Sequence, residues 1–203
     1  RKGDTLIAVR SDTSRAKDFN PDRWIRDAGE YTGELKVVDF PWKIFQLNGN
    51  EIEADFKRVT HGRSSGTLSD SVSVDRPENV FLEPGFRGGY FTLNASLGPI
   101  YLGKDSEIME GSMIRGPFAL CEGSVVKMGA KIYGPTTIGP YSKVGGEIKN
   151  SVLIANSNKA HDGFLGNSVL GEWCNLGADT NNSNLKNTYA PVKVWNYPSA
   201  SFI

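Results

Sequence analysis

Residues 102–144 read LGKDSE IMEGSM IRGPFA LCEGSV VKMGAK IYGPTT IGPYSK V, with an aliphatic residue at every sixth position. A period of six fits neither an α-helix, which repeats every 3.6 residues, nor a half-buried strand, which repeats every two. It is typical of a parallel β-helix of hexapeptide repeats, in which three hexads close one triangular coil. We therefore predict a mainly β chain whose inward column is Leu102, Ile108, Ile114, Leu120, Val126, Ile132, Ile138 and Val144.

A second set of positions follows the aliphatic residues by four and carries small side chains. Space close to a corner is limited, so small residues are expected to point inward there. Glycine and proline cluster between the aliphatic residues, as in Gly116-Pro117 and Gly134-Pro135, and provide the turn geometry of the corners. The small positions are Ser106, Ser112, Ser124, Ala130, Thr136 and Ser142, and the pattern is broken at Phe118 and Ile148.

The register of the repeat changes after Val144. The next run at a spacing of six is Phe164, Leu170 and Leu176, and Phe164 follows Val144 by 20 residues, which is not a multiple of six. We therefore predict that the solenoid slips by two residues between these coils and that Phe164 points inward. Departures from a repeat are expected at functional positions or loops.

The chain divides into three predicted parts. Residues 1–60 contain no hexads and are expected to form a small α/β unit, residues 61–79 are polar and read as a connector, and residues 80–203 form the β-helix. A solenoid exposes its last coil unless another element covers it. Because no such element follows and residue 1 is Arg, we expect a piece of a longer protein, with the β-helix truncated at its C-terminus.

Three local elements are predicted within the first part. Residues 5–9 read as a short strand. Pro41 is well placed to open a helix, which is expected to end at Asn48-Gly49. Ile52 and Phe56 lie four residues apart and indicate a second short amphipathic helix.

Composition narrows the classes of partner. The chain has 203 residues, 23 of them Lys or Arg and 23 Asp or Glu, and no basic stripe indicates nucleic acid. No apolar run approaches the ~18 residues that span a bilayer. Cys121 and Cys174 are predicted to be buried free thiols, which favours a cytoplasmic protein over a disulfide-bonded one.

His161 is the first candidate for chemistry. It lies in the irregular stretch Asn158-Lys159-Ala160-His161-Asp162-Gly163-Phe164 and is one of only two histidines. Imidazole is the side chain that titrates closest to neutral pH, which suits a general base. A structural or solvated role is the alternative for His161, and it is the interpretation that we adopt for His61 in the connector.

Glu147 and Lys149 form a second candidate pair. Alternate residues of a strand share a face, so both are predicted to point outward with Ile148 inward. A carboxylate beside an ammonium suits a polar, phosphorylated substrate, although an exposed ion pair without a function is the alternative. The polar run at residues 175–184 has two interpretations as well, a binding surface or a structural hydrogen-bonded ladder.

The motifs together resemble those of a known family. The hexads, Glu147-Ile148-Lys149, the run from Lys159 to Gly166 and the run from Asn175 to Thr180 are similar to the bifunctional N-acetylglucosamine-1-phosphate uridylyltransferase/glucosamine-1-phosphate acetyltransferases, in a variant typical of Bacteroidetes-type bacteria. The resemblance implies a left-handed β-helix. It also implies that residues 1–60 are the remnant of a nucleotidyltransferase-like α/β domain.

The resemblance further implies a reaction and its site. His161 would take a proton from the amine of glucosamine 1-phosphate, which then attacks acetyl-CoA, and no metal is required. Mg²⁺ would serve only a nucleotidyltransferase half, whose Gly-rich signature is missing here, and the sites would form in a homotrimer. The implied substrate-binding residues are Glu147, Lys149, Phe164, Asn175 and Asn184, and the implied acetyl-CoA contacts are Gly177 and Ala178.

Two departures from the family pattern support an alternative function. Phe164 stands where better-known members carry a tyrosine, and Tyr133 stands where they carry a phosphate-binding arginine, which leaves the phosphate to Lys149, with Lys131 or Lys186 as further candidates. The alternative is a trimerisation scaffold for a nucleotidyltransferase with an inactive acyl site. A β-helix carbonic anhydrase would need three zinc-binding histidines, more than the chain has.

Overall fold

The computed structural model describes residues 1–182 and 185–203, so Asn184 lies outside the described residues. The chain forms two compact units, Arg1–Val38 and Asp39–Ile203. The first unit contains helices α1 (Thr13–Ala16) and α2 (Pro21–Arg26). The strand predicted at residues 5–9 is absent from it, since Thr5 forms only an isolated bridge with Lys2 and the others have no regular structure.

The second unit is a left-handed parallel β-helix with three sheets, flanked by one long helix, α3 (Trp42–Thr60). Strands are numbered along the chain. Sheet 1 stacks β1 (Ser73–Asp75), β4 (Thr92–Asn94), β7 (Met113–Arg115), β10 (Lys131–Tyr133), β13 (Glu147–Lys149) and β16 (Phe164–Gly166). Sheet 2 stacks β2 (Val80–Leu82), β5 (Ile100–Leu102), β8 (Phe118–Leu120), β11 (Thr136–Ile138), β14 (Val152–Leu153) and β17 (Val169–Leu170). Sheet 3 stacks β3 (Arg87–Gly88), β6 (Glu107–Ile108), β9 (Val125–Val126), β12 (Lys143–Val144) and β15 (Asn158–Lys159).

Two short elements lie outside the three sheets. A 3-10 turn at Pro77–Asn79 precedes β2. Strands β18 (Trp195–Asn196) and β19 (Ser201–Phe202) pair as an antiparallel hairpin. Within the described residues, no helix is both long and apolar enough to cross a membrane.

The core confirms the predicted inward columns. The eight aliphatic residues from Leu102 to Val144 are at most 1% exposed, and the six small residues are fully buried. The buried hydroxyls find acceptors at the corners, as Ser106 Oγ donates to Gly103 O at 2.6 Å and Ser124 Oγ to Gly139 O at 2.7 Å. Phe118 breaks the small-residue pattern but is also fully buried.

Beyond Val144 the register differs from the prediction. Ile148 follows Val144 by four residues and Leu153 follows Ile148 by five, and both are fully buried. Strand β16 aligns Leu165 with Ile148, so Leu165 points inward and Phe164 outward. The prediction that Phe164 points inward was therefore wrong. Phe164 and Leu165 are adjacent and both apolar, so their spacing alone does not distinguish them.

A two-residue glycine corner produces most of this change. Gly145-Gly146 joins β12 to β13, and a Cβ on Gly145 would overlap the carbonyl oxygen of Ala160 in the next coil. Gly146 has φ of 71°, and a Cβ there would lie 2.7 Å from Gly163 O. Glycine therefore permits a tight corner and a close approach of the following coil.

Helix α3 is one 19-residue helix, so the prediction of two helices separated at Asn48-Gly49 was wrong. A Cβ on Gly49 would come within 3.2 Å of the Pro135 ring, so the helix lies very close to the β-helix there. Asn48 is buried, and its Oδ1 accepts a 2.7 Å hydrogen bond from Thr137 Oγ1. Packing against sheet 2 therefore overrides the turn preference of these two residues.

Residues 61–79, predicted as a connector, also pack on the β-helix. Strand β1 lies within them, and Gly66 N donates to Leu82 O at 3.0 Å. Arg63 reaches Glu83 Oε2 at 2.5 Å, and Tyr101 Oη donates to Glu83 Oε1 at 2.8 Å. The hydrogen bond from Arg63 holds the pKa of Glu83 below its usual value.

The two cysteines are free thiols, as predicted. Both are half-buried, however, so the prediction that they are buried was too strong. Burial raises the pKa of Cys121 to about 11. This thiol is therefore protonated at neutral pH.

Replacing Leu120 with alanine should test the inward column. Leu120 is fully buried, and Leu→Ala at such sites costs about 2–5 kcal/mol of unfolding free energy. We expect a loss of that size in urea unfolding. The control is Met128→Ala, because Met128 is 69% exposed and its loss should change stability by about 0.5 kcal/mol or less. Equal losses for the two variants would contradict the assigned core.

The Glu83→Gln variant should show a pH-dependent loss of stability. The pKa of Glu83 is lowered in the folded state, so its carboxylate stabilises the fold above the ordinary value of 4.5, and this contribution disappears as the pH falls through the folded-state pKa. We expect Glu83→Gln to unfold at a lower temperature than the wild type at pH 7, with a difference that shrinks below pH 4.5.

The matched control for Glu83 is Glu122→Gln. Its carboxylate is 48% exposed and lies 3.9 Å from Lys104 Nζ, so its removal should change the melting temperature little at any pH. A Glu83→Gln deficit that is constant with pH would show that the Arg63 interaction is not its cause.

Candidate active site

The outer face of sheet 1 brings three predicted site residues together. Strands β13 and β16 are paired so that Glu147 aligns with Phe164 and Lys149 with Gly166. Neighbouring strands lie about 4.8 Å apart, so these side chains are adjacent across one strand spacing. Ile148 between them is fully buried, which confirms that Glu147 and Lys149 point outward.

Further lysine and arginine side chains lie on the same face. Strand β10 places Lys131 beside Glu147 and Tyr133 beside Lys149. Arg115 continues the column of Tyr133 one strand further, because β7 and β10 pair in the same register. Between β7 and β16 the face therefore carries three cationic side chains and one carboxylate. Sequence reasoning missed Arg115, although its place directly after inward Ile114 predicts an outward side chain.

His161 lies at the adjoining corner, between β15 of sheet 3 and β16 of sheet 1. Its side chain is exposed. The corner rests on the Gly145-Gly146 corner of the coil before, where a Cβ on Gly146 would lie 3.0 Å from His161 O. The imidazole therefore stands at the edge of the face that carries Glu147 and Phe164.

Gly177 and Ala178 lie at the same corner one coil later. Asn175 bridges Asn158 and Asp179 N donates to Asp162 O at 3.1 Å, so the segment that carries Gly177 and Ala178 stacks on the corner that carries His161. A turn holds this segment, since Thr180 Oγ1 donates to Gly177 O at 2.9 Å. The predicted acetyl-CoA contacts and the predicted base therefore share one corner.

The asparagines form a hydrogen-bonded ladder. Asn158 Nδ2 donates to Asn175 Oδ1 at 2.7 Å on the sheet 3 side, so Asn175 lies one coil after Asn158 and two coils after the coil of Glu147 and Lys149. Asn181 Oδ1 accepts from Phe164 N at 2.7 Å, and Asn182 Oδ1 from Gly166 N at 2.9 Å. The structural interpretation of the polar run therefore holds for these residues, while Asn175 remains exposed at the corner.

Sequence reasoning missed Lys159, the residue behind the corner. Lys159 aligns with inward Val144 and is fully buried. Desolvation lowers the pKa of its ammonium, and the charges of Asp162 and Asp179 oppose that shift. The sequence contains a signal for the buried position of Lys159, because this residue follows the inward residue Leu153 by six. A spacing of six counted back from Leu176 does not reveal it, because that count makes Phe164 the inward residue.

Comparisons with known proteins give matches to the first 64 residues and to most of the chain. Residues 1–64 match a family described as sugar nucleotidyl transferase. The bifunctional protein GlmU of Synechococcus elongatus is 30% identical over 88% of this chain and 45% of its own length, and that of Wolbachia pipientis is 33% identical over 64% of this chain and 31% of its own. The bifunctional sugar-1-phosphate nucleotidylyltransferase/acetyltransferase of Sulfurisphaera tokodaii is 25% identical over 81% of this chain and 35% of its own. The chain thus spans less than half the length of these relatives.

Proposed function

Because the chain is related to the bifunctional GlmU-type transferases, we propose that its β-helix transfers the acetyl group of acetyl-CoA to the amine of glucosamine 1-phosphate. One observation carries the proposal. An exposed imidazole stands at a corner between a cationic sheet face and a stacked backbone turn, so one side chain can serve substrates held on both sides of it.

The proposed reaction needs one proton acceptor. His161 accepts a proton from the sugar amine as its nitrogen attacks the thioester carbonyl, and a tetrahedral oxyanion forms. The C–S bond then breaks, and the thiolate leaves and takes up the proton from His161. General-base catalysis of this kind contributes about 10²–10⁴-fold in rate, and polar donors at the oxyanion contribute further.

The proposed sugar-phosphate site is the outer face of sheet 1. Lys149 attracts the phosphate, supported by Lys131 on the neighbouring strand and Arg115 two strands away, and Glu147 accepts hydrogen bonds from sugar hydroxyls. Phe164 offers an apolar ring against the sugar, in place of the tyrosine hydroxyl of better-known members. Asn175, which lies on a later coil, is proposed to contact the sugar, and Asn184 is proposed to contact the substrate near the thioester.

The proposed acetyl-CoA site is the backbone around Gly177 and Ala178. A small residue at each position leaves room for an extended pantetheine chain to approach the main chain. We further propose that the protein acts as a cytoplasmic homotrimer, in which a second subunit completes each site.

The His161→Ala variant should lower kcat by about 10²-fold or more, because the amine loses its proton acceptor. The measurement is acetyl-CoA-dependent thiol release with glucosamine 1-phosphate, in the full-length protein. The control is His61→Ala, since His61 is the exposed residue that ends α3 and should not affect kcat. An unchanged rate in His161→Ala would remove this residue from the mechanism.

A second candidate function rests on Phe164 and Tyr133. Because these residues replace polar side chains of the family site, the β-helix is also a candidate trimerisation scaffold with no acyl transfer. Isothermal titration with acetyl-CoA separates the two functions. Heat of binding at micromolar to millimolar ligand supports the transferase, whereas no binding at millimolar ligand and no thiol release support the scaffold.

A further inference from the structure

Lys159 occupies a position that the fold otherwise reserves for apolar or small side chains. In the same inward column, Val144 precedes it by one coil. Lys159 is fully buried, and among the described residues it is the one buried side chain that carries a formal charge. A buried ammonium is costly to desolvate, whereas an aliphatic side chain would fill the column without that cost.

The Lys159 ammonium binds the backbone of two successive corners. Its Nζ donates to His161 O at 2.5 Å, to Asp162 O at 3.2 Å and to Gly145 O at 3.3 Å. A lysine has three N–H donors, and these three carbonyls use all of them. The ammonium therefore ties the corner that carries His161 to the corner beneath it from inside the β-helix.

The hydrogen bond from Lys159 Nζ to His161 O holds the backbone that carries the imidazole. The carbonyl of His161 is turned toward the interior while its side chain faces solvent. Among the described residues, the Lys159 ammonium is the hydrogen-bond donor to the His161 carbonyl oxygen. An unsatisfied interior carbonyl costs about 1–3 kcal/mol, so loss of the ammonium would favour rotation of the His161 peptide.

We infer that Lys159 is the positioning residue of this site, which holds the His161 imidazole in place through the His161 and Asp162 carbonyls. The inference rests on the proposed function for its kinetic consequence, though not for its structural one. Misplacement of a catalytic group by about 1 Å can lower a rate by about 10²-fold. Lys159 does this without contacting either substrate, because it lies inside the coil.

The Lys159→Met variant tests the inference, because methionine is unbranched and only one heavy atom shorter than lysine, so it keeps most of the apolar packing but has none of the three N–H donors. We expect kcat per folded molecule to fall by about 10-fold to 10²-fold, while KM for acetyl-CoA changes by about threefold or less. The matched control is Lys143→Met, since Lys143 lies on the neighbouring strand of sheet 3 and points outward. This control should keep the wild-type kcat.

A second readout does not depend on activity. With ¹³C-labelled histidine, the ring signals of His161, assigned by their loss in His161→Ala, should shift in Lys159→Met and not in Lys143→Met. The signals of His61, which lies at the end of α3, serve as the internal reference. A residue that only stabilised the fold would lower the melting temperature and leave the His161 signals and kcat per folded molecule unchanged.

The outcomes separate the inference from the proposed function. Unmoved His161 signals, or wild-type kcat in folded Lys159→Met, overturn the positioning role even if His161→Ala is inactive. No thiol release from the wild type overturns the proposed function, and full activity of His161→Ala removes His161 from the mechanism. In either case, shifted ring signals still support Lys159 as the group that holds the corner. If Lys159→Met does not fold, Lys159→Gln keeps two N–H donors on a shorter, uncharged side chain and should show smaller changes of the same sign, and wild-type kcat and signals there overturn the inference.

Discussion

The parallel hydrogen bonding between successive coils is the constraint on which the structure depends. Each strand of the three β-helix sheets pairs with the strands one coil before and one coil after it, so the neighbours of a residue on the sheet lie about one coil away in sequence. The inward columns, the corner glycines and the small buried residues all follow from this stacking. A change in the length of one corner therefore shifts the register of every residue after it, as the Gly145-Gly146 corner does.

The same stacking explains how a site forms from distant parts of the sequence. Glu147 and Phe164 are neighbours because the coils there are 17 residues long, and the same spacing stacks the segment of Gly177 and Ala178 on the corner of His161. The corner gives the imidazole access to solvent on the outside, and the buried Lys159 ammonium supports its backbone on the inside. The parallel β-helix thus separates the exposed surface, where we propose the reaction, from the interior that supports its backbone.

Sequence reasoning was reliable where the repeat is strict and weaker where tertiary contacts decide. Eight aliphatic residues at a spacing of six predicted the fold, and strand alternation placed Glu147 and Lys149 outward. Spacing did not reveal that Leu165, rather than Phe164, points inward, because that depends on the length of a corner. Gly49 lies inside α3, at the point where that helix contacts Pro135. Pro135 is 86 residues away in sequence, so the local turn preference of Asn48-Gly49 gives no indication of this contact. The roles of the site residues came from resemblance, and the structure shows which of them are neighbours.

The asparagine ladder has a consequence for solubility. An open strand edge presents N–H groups that recruit strands from other molecules and promote aggregation. At β16 the N–H groups of Phe164 and Gly166 are instead occupied by the side-chain oxygens of Asn181 and Asn182. The backbone of Asn182 also joins β16, since its N–H donates to Phe164 O at 3.0 Å. The two amides therefore cover N–H groups at the edge of β16 that would otherwise be open to pairing with a strand of another molecule.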